Sequence, residues 1–227
     1  MTVDAERAAA AEAAVNEVRA GMLVGLGTGR TAAFAVRALA QRVKEGLRAT
    51  CVATSTATER LGVSLGLRVI PFEAVSRVDL TIDGADEIDP RFCAIKGGGG
   101  ALLREKVVAA ASDRVLIVVD ANKVVERLGS FPLPVEVLPF AEAWVMRALT
   151  ELGAAPTRRV VEAGTPFRTD QQNFVVDAAF GFIDDAADLA ARLASIPGIV
   201  EHGLFVGEID EVFVGREDGV ERRTKMR

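Results

Sequence analysis

Between Asp83 and Lys106 the sequence reads DGADEIDPRFCAIKGGGGALLREK, which sets carboxylates at Asp83, Asp86 and Glu105 close to an ammonium at Lys96 and four consecutive glycines, Gly97 to Gly100. The preceding run VDLTI is apolar enough for the centre of a sheet, so Asp83 falls at its carboxyl end, where open parallel sheets gather ligands. Gly84 lets the chain bend sharply, and Asp86 follows within a turn. The glycines precede a helix that starts near Ala101. Backbone free to adopt positive φ ahead of a helix N-terminus offers several N–H groups to one anion or developing oxyanion. On that helix the neighbours of Glu105 three and four positions away are Ala101, Leu102, Val108 and Ala109, so none is a cation and the face is small and apolar. A carboxylate base, a second carboxylate, a lysine and a bank of backbone donors suit proton abstraction beside a carbonyl, the enediolate being held by Lys96 and main-chain N–H groups. That chemistry needs neither a metal nor an organic cofactor. The plainer readings are a solvated acidic turn and an exposed first-turn Glu105 favoured by the helix dipole.

Other site chemistries fare worse. A calcium loop counted from Asp79 places Pro90 where the bidentate glutamate belongs. A magnesium site built from Asp83, Asp86 and Glu87 stays open. The loop GLGTGRTA, residues 25–32, fails as a dinucleotide fingerprint because Arg30 stands in the third glycine's place, and no GK[ST] follows to make a P-loop. What remains is a strand-to-helix turn whose free N–H groups and the hydroxyls of Thr28 and Thr31 can seat one phosphate or sugar hydroxyls. His202, the only histidine, builds neither HExxH nor a histidine-rich metal site, GxSxG is absent, and His202 reads as structural.

Positioning these groups requires strands alternating with helices. Thr2 or Asp4 can cap an alanine-rich helix; MLVGLG reads as a buried strand feeding the helix TGRTAAFAVRALAQRV. The alternation continues through ATCVAT, STATERLGVSLG, LRVI, VDLTID, FCAIK, ALLREKVVAAAS and RVLIVVD. Strands apolar on both faces predict a Rossmann-like, mostly parallel sheet with helices on both faces, an α/β class. After Gly129 the texture turns to FPLPVEVLPF, and the order strand, helix, strand, strand, helix, strand predicts a small α+β domain of the ferredoxin-like, split β-α-β kind. EVFVGR then returns as a strand of the first sheet. The expected domains are 1–129 with 206–227, and 130–205.

Half of the 227 residues are apolar, enough to bury a core. A net charge of -5 without any Lys/Arg-rich run excludes a nucleic-acid partner and leaves small, locally bound anions. Cys51 and Cys93 sit in apolar runs and read as buried hydrophobes in a reducing compartment. No run of about 18 apolar residues exists and the N-terminus is acidic, so a soluble cytoplasmic protein without a membrane partner is expected.

GTGRTA, TIDGADEID, KGGGGALLREK, DANK and FPLPVEVLPF, in this order and across nearly the whole chain, resemble the type A ribose-5-phosphate isomerase family. The resemblance implies interconversion of ribose 5-phosphate and ribulose 5-phosphate in the pentose phosphate pathway, without metal or cofactor, in a homo-oligomer that is often a dimer. It implies that Glu105 moves the proton between C2 and C1. Asp83 and Lys96 would open the furanose ring and stabilise charge on O1 and O2, with Asp86 supporting them. Thr28, Gly29, Arg30, Thr31, Asp83, Gly84, Ala85, Asp86, Lys96, Gly97, Gly98, Gly99 and Lys123 would be the substrate contacts. Lys123 follows the strand RVLIVVD, where a phosphate-binding cation is also expected on physical grounds. Two positions depart from the family pattern: Arg30 and Asn122 stand where the family tends to carry serine. The rivals are a sugar-phosphate sensor, for which about twenty residues ahead of the first strand leave too little room for a DNA-binding head, and a magnesium-dependent sugar phosphatase.

Overall fold

The computed structural model describes residues 2–225. In chain order the elements are α1 (Val3–Val15), β1 (Leu23–Leu26), α2 (Arg30–Lys44), β2 (Thr50–Ala53), α3 (Thr56–Ser64), β3 (Leu80–Asp83), β4 (Glu87–Ile88), β5 (Ala94–Ile95), α4 (Leu102–Ala110), β6 (Val115–Asp120) and β7 (Leu133–Val137). They continue with α5 (Glu142–Glu151), β8 (Ala155–Arg158), β9 (Phe174–Ala179), α6 (Ala186–Ala194), β10 (Ile199–His202), β11 (Leu204–Phe205), β12 (Glu211–Arg216) and β13 (Gly219–Thr224). They form two compact units, 1–85 with 104–124 and 207–227, and 86–103 with 125–206. This differs from the boundaries expected from sequence: the segment 86–103 groups with the second unit, because its strands β4 and β5 pair with each other and with β11 in a small antiparallel sheet.

The first unit is a six-stranded sheet in the order β13-β12-β6-β3-β1-β2, parallel except for the edge strand β13. Every residue of β6 is buried, as the run VLIVVD requires of a strand covered on both faces. Val24, Leu26, Leu80, Ile82, Leu116 and Val118 form the core with Ala10, Ala14, Val36 and Leu39 of α1 and α2. Thr2 caps α1, accepting from the Ala5 N–H. β12 fits between β6 and β13, and Glu211 at its start bonds Arg114 and Arg222. Burial pulls the Glu211 carboxyl upward, but those two guanidiniums outweigh it and hold it below the ordinary glutamate range. Two expectations need correction. LRVI makes no strand, only a single bridge from Val69 to Cys51. FCAIK contributes only β5, antiparallel and outside the main sheet, because Phe92 turns into positive φ at the tip of the β4–β5 hairpin.

The second unit carries the order β10-β7-β9-β8, all antiparallel, with α5 and α6 following β7 and β9. This is the strand order of a split β-α-β fold, as the element pattern predicts. Its core joins Val135, Val137 and Val176 to Val145, Leu149 and Leu193. His202 is buried on β10, and Cys93 is half-buried, less enclosed than its apolar run implied. Cys51 is fully buried and its thiol is pushed up to about 12 by that burial.

Glu136 is an odd tenant of this core, at 0 % exposure on the central strand β7. Its Oε1 accepts from Asn173 Nδ2 and Thr169 Oγ1, both at 2.8 Å, while Oε2 meets no donor. Burial, reinforced by Glu201 across the strand pair and by Asp170, raises its pKa against those two hydrogen bonds. A carboxyl raised in the folded state stabilises the fold while it keeps its proton. That contribution is lost as pH climbs from the ordinary carboxylate range through the raised value. Glu136→Gln keeps the acceptor and cannot ionise. Thermal melts should therefore show the variant gaining on wild type as pH rises from about 4, the low end of ordinary glutamate titration. Parallel melting profiles would count against a proton on Glu136.

Candidate active site

In the first unit, β1 leads to α2 and β2 on one side while β3 lies on the other, so the connections leave the sheet in opposite directions between β1 and β3. A switch point of this kind opens a crevice at the carboxyl ends of the strands. Asp83 closes β3 at that end, 2 % exposed. Its Oδ1 accepts from the N–H groups of Thr28 (3.0 Å) and Gly84 (2.7 Å). Gly27 makes this possible, since a Cβ there would collide with the Asp83 carboxylate and Cα. The loop is stapled in turn by a ring of hydroxyls. Thr28 donates to Ser55 (2.8 Å), Ser55 to Thr58 (3.1 Å) and Thr58 to the carbonyl of Gly27 (2.9 Å), while Thr54 Oγ1 lies 2.8 Å from Thr28 Oγ1. Ser55 is also the N-cap of α3.

The C-terminal end of α4 is tied to the start of β3. Val78 N–H bonds the carbonyl of Ala111, and Ser112 Oγ joins Thr81 Oγ1 (2.7 Å) to the carbonyl of Val108. The helix therefore begins at the carboxyl ends of the strands, and Glu105 sits in its first turn there, 4 % exposed. This overturns the exposed first-turn reading of Glu105. Asp120 ends β6 at the same end of the sheet and caps the short turn Ala121–Lys123, accepting from Asn122 N–H (3.1 Å) and from Arg7 Nε (2.9 Å). Lys123 is half-buried on that turn. Thr31 lies beside Gly84, and Arg30 is exposed in the first turn of α2 with no ion pair among the described residues.

In the second unit, half-buried Asp86 accepts on Oδ2 from the N–H of Gly98 (2.7 Å), and a Cβ on Gly98 would lie 2.6 Å from Asp86 Oδ1. Lys96 is 3 % exposed, with Nζ 5.3 Å from the centre of the Phe205 ring and its own N–H bonded to the carbonyl of Gly203. Gly97, at φ +101, turns the chain into the cradle. Glu87 spends both oxygens on backbone, Oε2 on Gly129 N–H (2.7 Å) and Oε1 on Phe131 N–H (2.6 Å). Of the three carboxylates of the magnesium alternative, Glu87 alone has both oxygens on main-chain donors, while the bonds described for Asp83 and Asp86 use one oxygen each. Among the described residues no group of three or more His, Cys, Asp or Glu is arranged to hold a metal.

The model of the family described as ribose 5-phosphate isomerase A (phosphoriboisomerase A) matches residues 50–219. The chain belongs to the ribose 5-phosphate isomerase A family. A ribose-5-phosphate isomerase A of Sphingopyxis alaskensis is 58% identical over 219 residues, 96% of each chain. Among solved structures, ribose 5-phosphate isomerase A of Methanocaldococcus jannaschii superposes with a TM-score of 0.94 at 37% identity, covering 99% of this chain and 100% of that one. A D-ribose-5-phosphate isomerase in complex with phospho-erythronic acid gives 0.96 at 34% identity, with the same coverage.

Against the site residues expected from sequence, this member of the isomerase family adds several. Thr54, Ser55 and Thr58 hold the glycine loop, and the S-x-x-T spacing of a helix cap was the signal that could have found them. Arg7 joins Asp120, and Arg159 binds the carbonyls of Gly97 and Gly98. Neither announces itself in the sequence.

Proposed function

We propose that Glu105 is the base with which this chain interconverts D-ribose 5-phosphate and D-ribulose 5-phosphate. One observation carries the reading: two carboxylates, Asp83 and Glu105, are buried at the same end of one parallel sheet. Asp83 exchanges the proton that opens the furanose. Glu105 then takes the C2 proton as the carbonyl electrons move onto O1, the O2 hydroxyl proton passes to O1, and Glu105 returns its proton to C1 while the carbonyl re-forms at C2. The hydrogen moves between neighbouring carbons of one molecule, so the chemistry calls for no external electron acceptor. Lys96 and the glycine N–H groups stabilise the enediolate, and Asp86 supports the cradle through Gly98. Lys123 and the loop Thr28 to Thr31 hold the phosphate, where the helix N-terminus and a cation add their fields. Phospho-erythronic acid, bound by a solved relative, supports this reading: its carboxylate presents two oxygens and a negative charge as an enediolate does. The α/β domain carries Asp83, Glu105 and Lys123.

The test is solvent exchange. The chain should move deuterium from water into C2 of ribose 5-phosphate with EDTA present. Binding without exchange would point to a sensor, and phosphate release that stops with the chelator to a phosphatase.

A cytoplasmic homodimer completes the proposal. No helix among the described residues is long and apolar enough to cross a membrane. Phe140, fully exposed beside Trp144 and Leu138 in the second unit, gives a reason for a second copy. A sedimentation mass of a single chain would refute the dimer.

A further inference from the structure

The glycine cradle is gripped from behind. Arg159, next after β8, donates from Nη1 to the carbonyl oxygens of Gly97 (2.9 Å) and Gly98 (3.1 Å). Asp177 on β9 receives its Nε (2.9 Å) and its Nη2, and the Phe167 ring centre lies 5.7 Å from the guanidinium carbon. A bidentate carboxylate and an aromatic face leave this fork a single orientation.

Peptide planarity turns that grip into a statement about donors. The C=O and N–H of a trans peptide point in opposite directions. With the Gly97 carbonyl facing Arg159, the Gly98 N–H points the other way, and it reaches Asp86 Oδ2 at 2.7 Å. With the Gly98 carbonyl also facing Arg159, the Gly99 N–H is left on the same side as Asp86. Gly99 is exposed, and its N–H has no intramolecular partner among the described residues. Two neighbouring peptide dipoles thus lie side by side with their negative ends on one cation. Parallel dipoles repel, and the guanidinium behind them offsets that repulsion while adding positive potential on the donor side.

We infer that the Arg159–Asp177 pair is a positioning device that aims the Gly99 N–H at the oxyanion, so that Arg159 acts on turnover without touching the sugar. The inference rests on the isomerase reading above. It assigns a task to residues that lie far along the chain from the motif they serve.

The test compares Arg159→Met, Arg159→Lys and Asp177→Asn. The readings are kcat and KM for ribose 5-phosphate, affinity for phospho-erythronic acid, and affinity for ribose 5-phosphate in a Glu105→Gln background. Loss of one oxyanion donor costs about a hundredfold or more in kcat. Misalignment in Arg159→Met should cost at least about tenfold, with KM within about threefold and phospho-erythronic acid affinity falling alongside kcat. Arg159→Lys should recover part of the loss, since an ammonium lacks the fork that reaches both carbonyls while held by Asp177. Unchanged kcat in folded Arg159→Met overturns the inference. So does a rise in KM and ribose 5-phosphate Kd that matches the fall in kcat, which marks general disruption. If Arg159→Met does not fold, Asp177→Asn decides: full kcat there overturns the inference, and a kcat-only loss supports it. Wild-type chain without isomerase activity would instead bring down the function reading itself.

Discussion

Glu105→Gln should lose at least about a hundredfold in kcat, the lower range for removal of a general base, while ribose 5-phosphate still binds. The amide has the shape of the carboxylate and fills the same buried place in the first turn of α4, so packing around Leu102 and Val108 need not change. What it loses is the capacity to accept a proton from carbon. Deuterium incorporation at C2 should fall by the same factor as turnover, because both pass through that one transfer. Phospho-erythronic acid should keep binding, since its affinity draws on the donors facing the oxyanion. Near-normal turnover in a folded Glu105→Gln protein would remove Glu105 from its role.

Lys96→Met should cut kcat by about a hundred- to a thousandfold, as expected when an electrostatic contact to a developing oxyanion is removed. Methionine matches the length of the lysine stem and can keep the contact with the Phe205 ring, so the substitution chiefly deletes charge. The charge matters here because the position is almost closed to water, where an ammonium stabilises a neighbouring anion far more than it would at the surface. The loss should sit in kcat, with affinity for phospho-erythronic acid reduced more than affinity for ribose 5-phosphate. Equal losses in both affinities would mean that Lys96 serves ground-state binding.

The parts of this molecule legible in its sequence are those whose signals are local. The runs MLVGL, DLTID and VLIVVD, apolar on both faces, marked β1, β3 and β6, and the element order after Gly129 forecast the second unit's sheet. The run FCAIK suggests a strand of the main sheet and β5 lies outside it, because a two-residue strand has no alternation to reveal its partner. β13 carries no strand signal in its sequence, because its inner and outer residues, GVERRT, are nearly all polar and only pairing with β12 makes it a strand. The same division runs through the site. Asp83, Asp86, Lys96 and Glu105 stand close together along the chain, and type and spacing are what nominate them as the proposed site. Arg159 is separated from Gly97 by 62 positions, and no periodicity encodes the hydrogen bond between them. The hydroxyls of Thr54, Ser55 and Thr58 lie between these cases: their cap pattern is local, but their grip on Thr28 is tertiary.

The place of β12 has a bearing on how the molecule is born. Translation delivers β6 midway along the chain and β12, which covers its outer flank, only after the entire antiparallel unit has been made. A nascent chain stalled before that point would leave the six-residue strand β6, apolar up to Asp120, with an unpaired row of backbone groups on one edge, the kind of edge that recruits other chains. Chaperone demand, and the damage done by C-terminal nonsense lesions, should both concentrate in this interval.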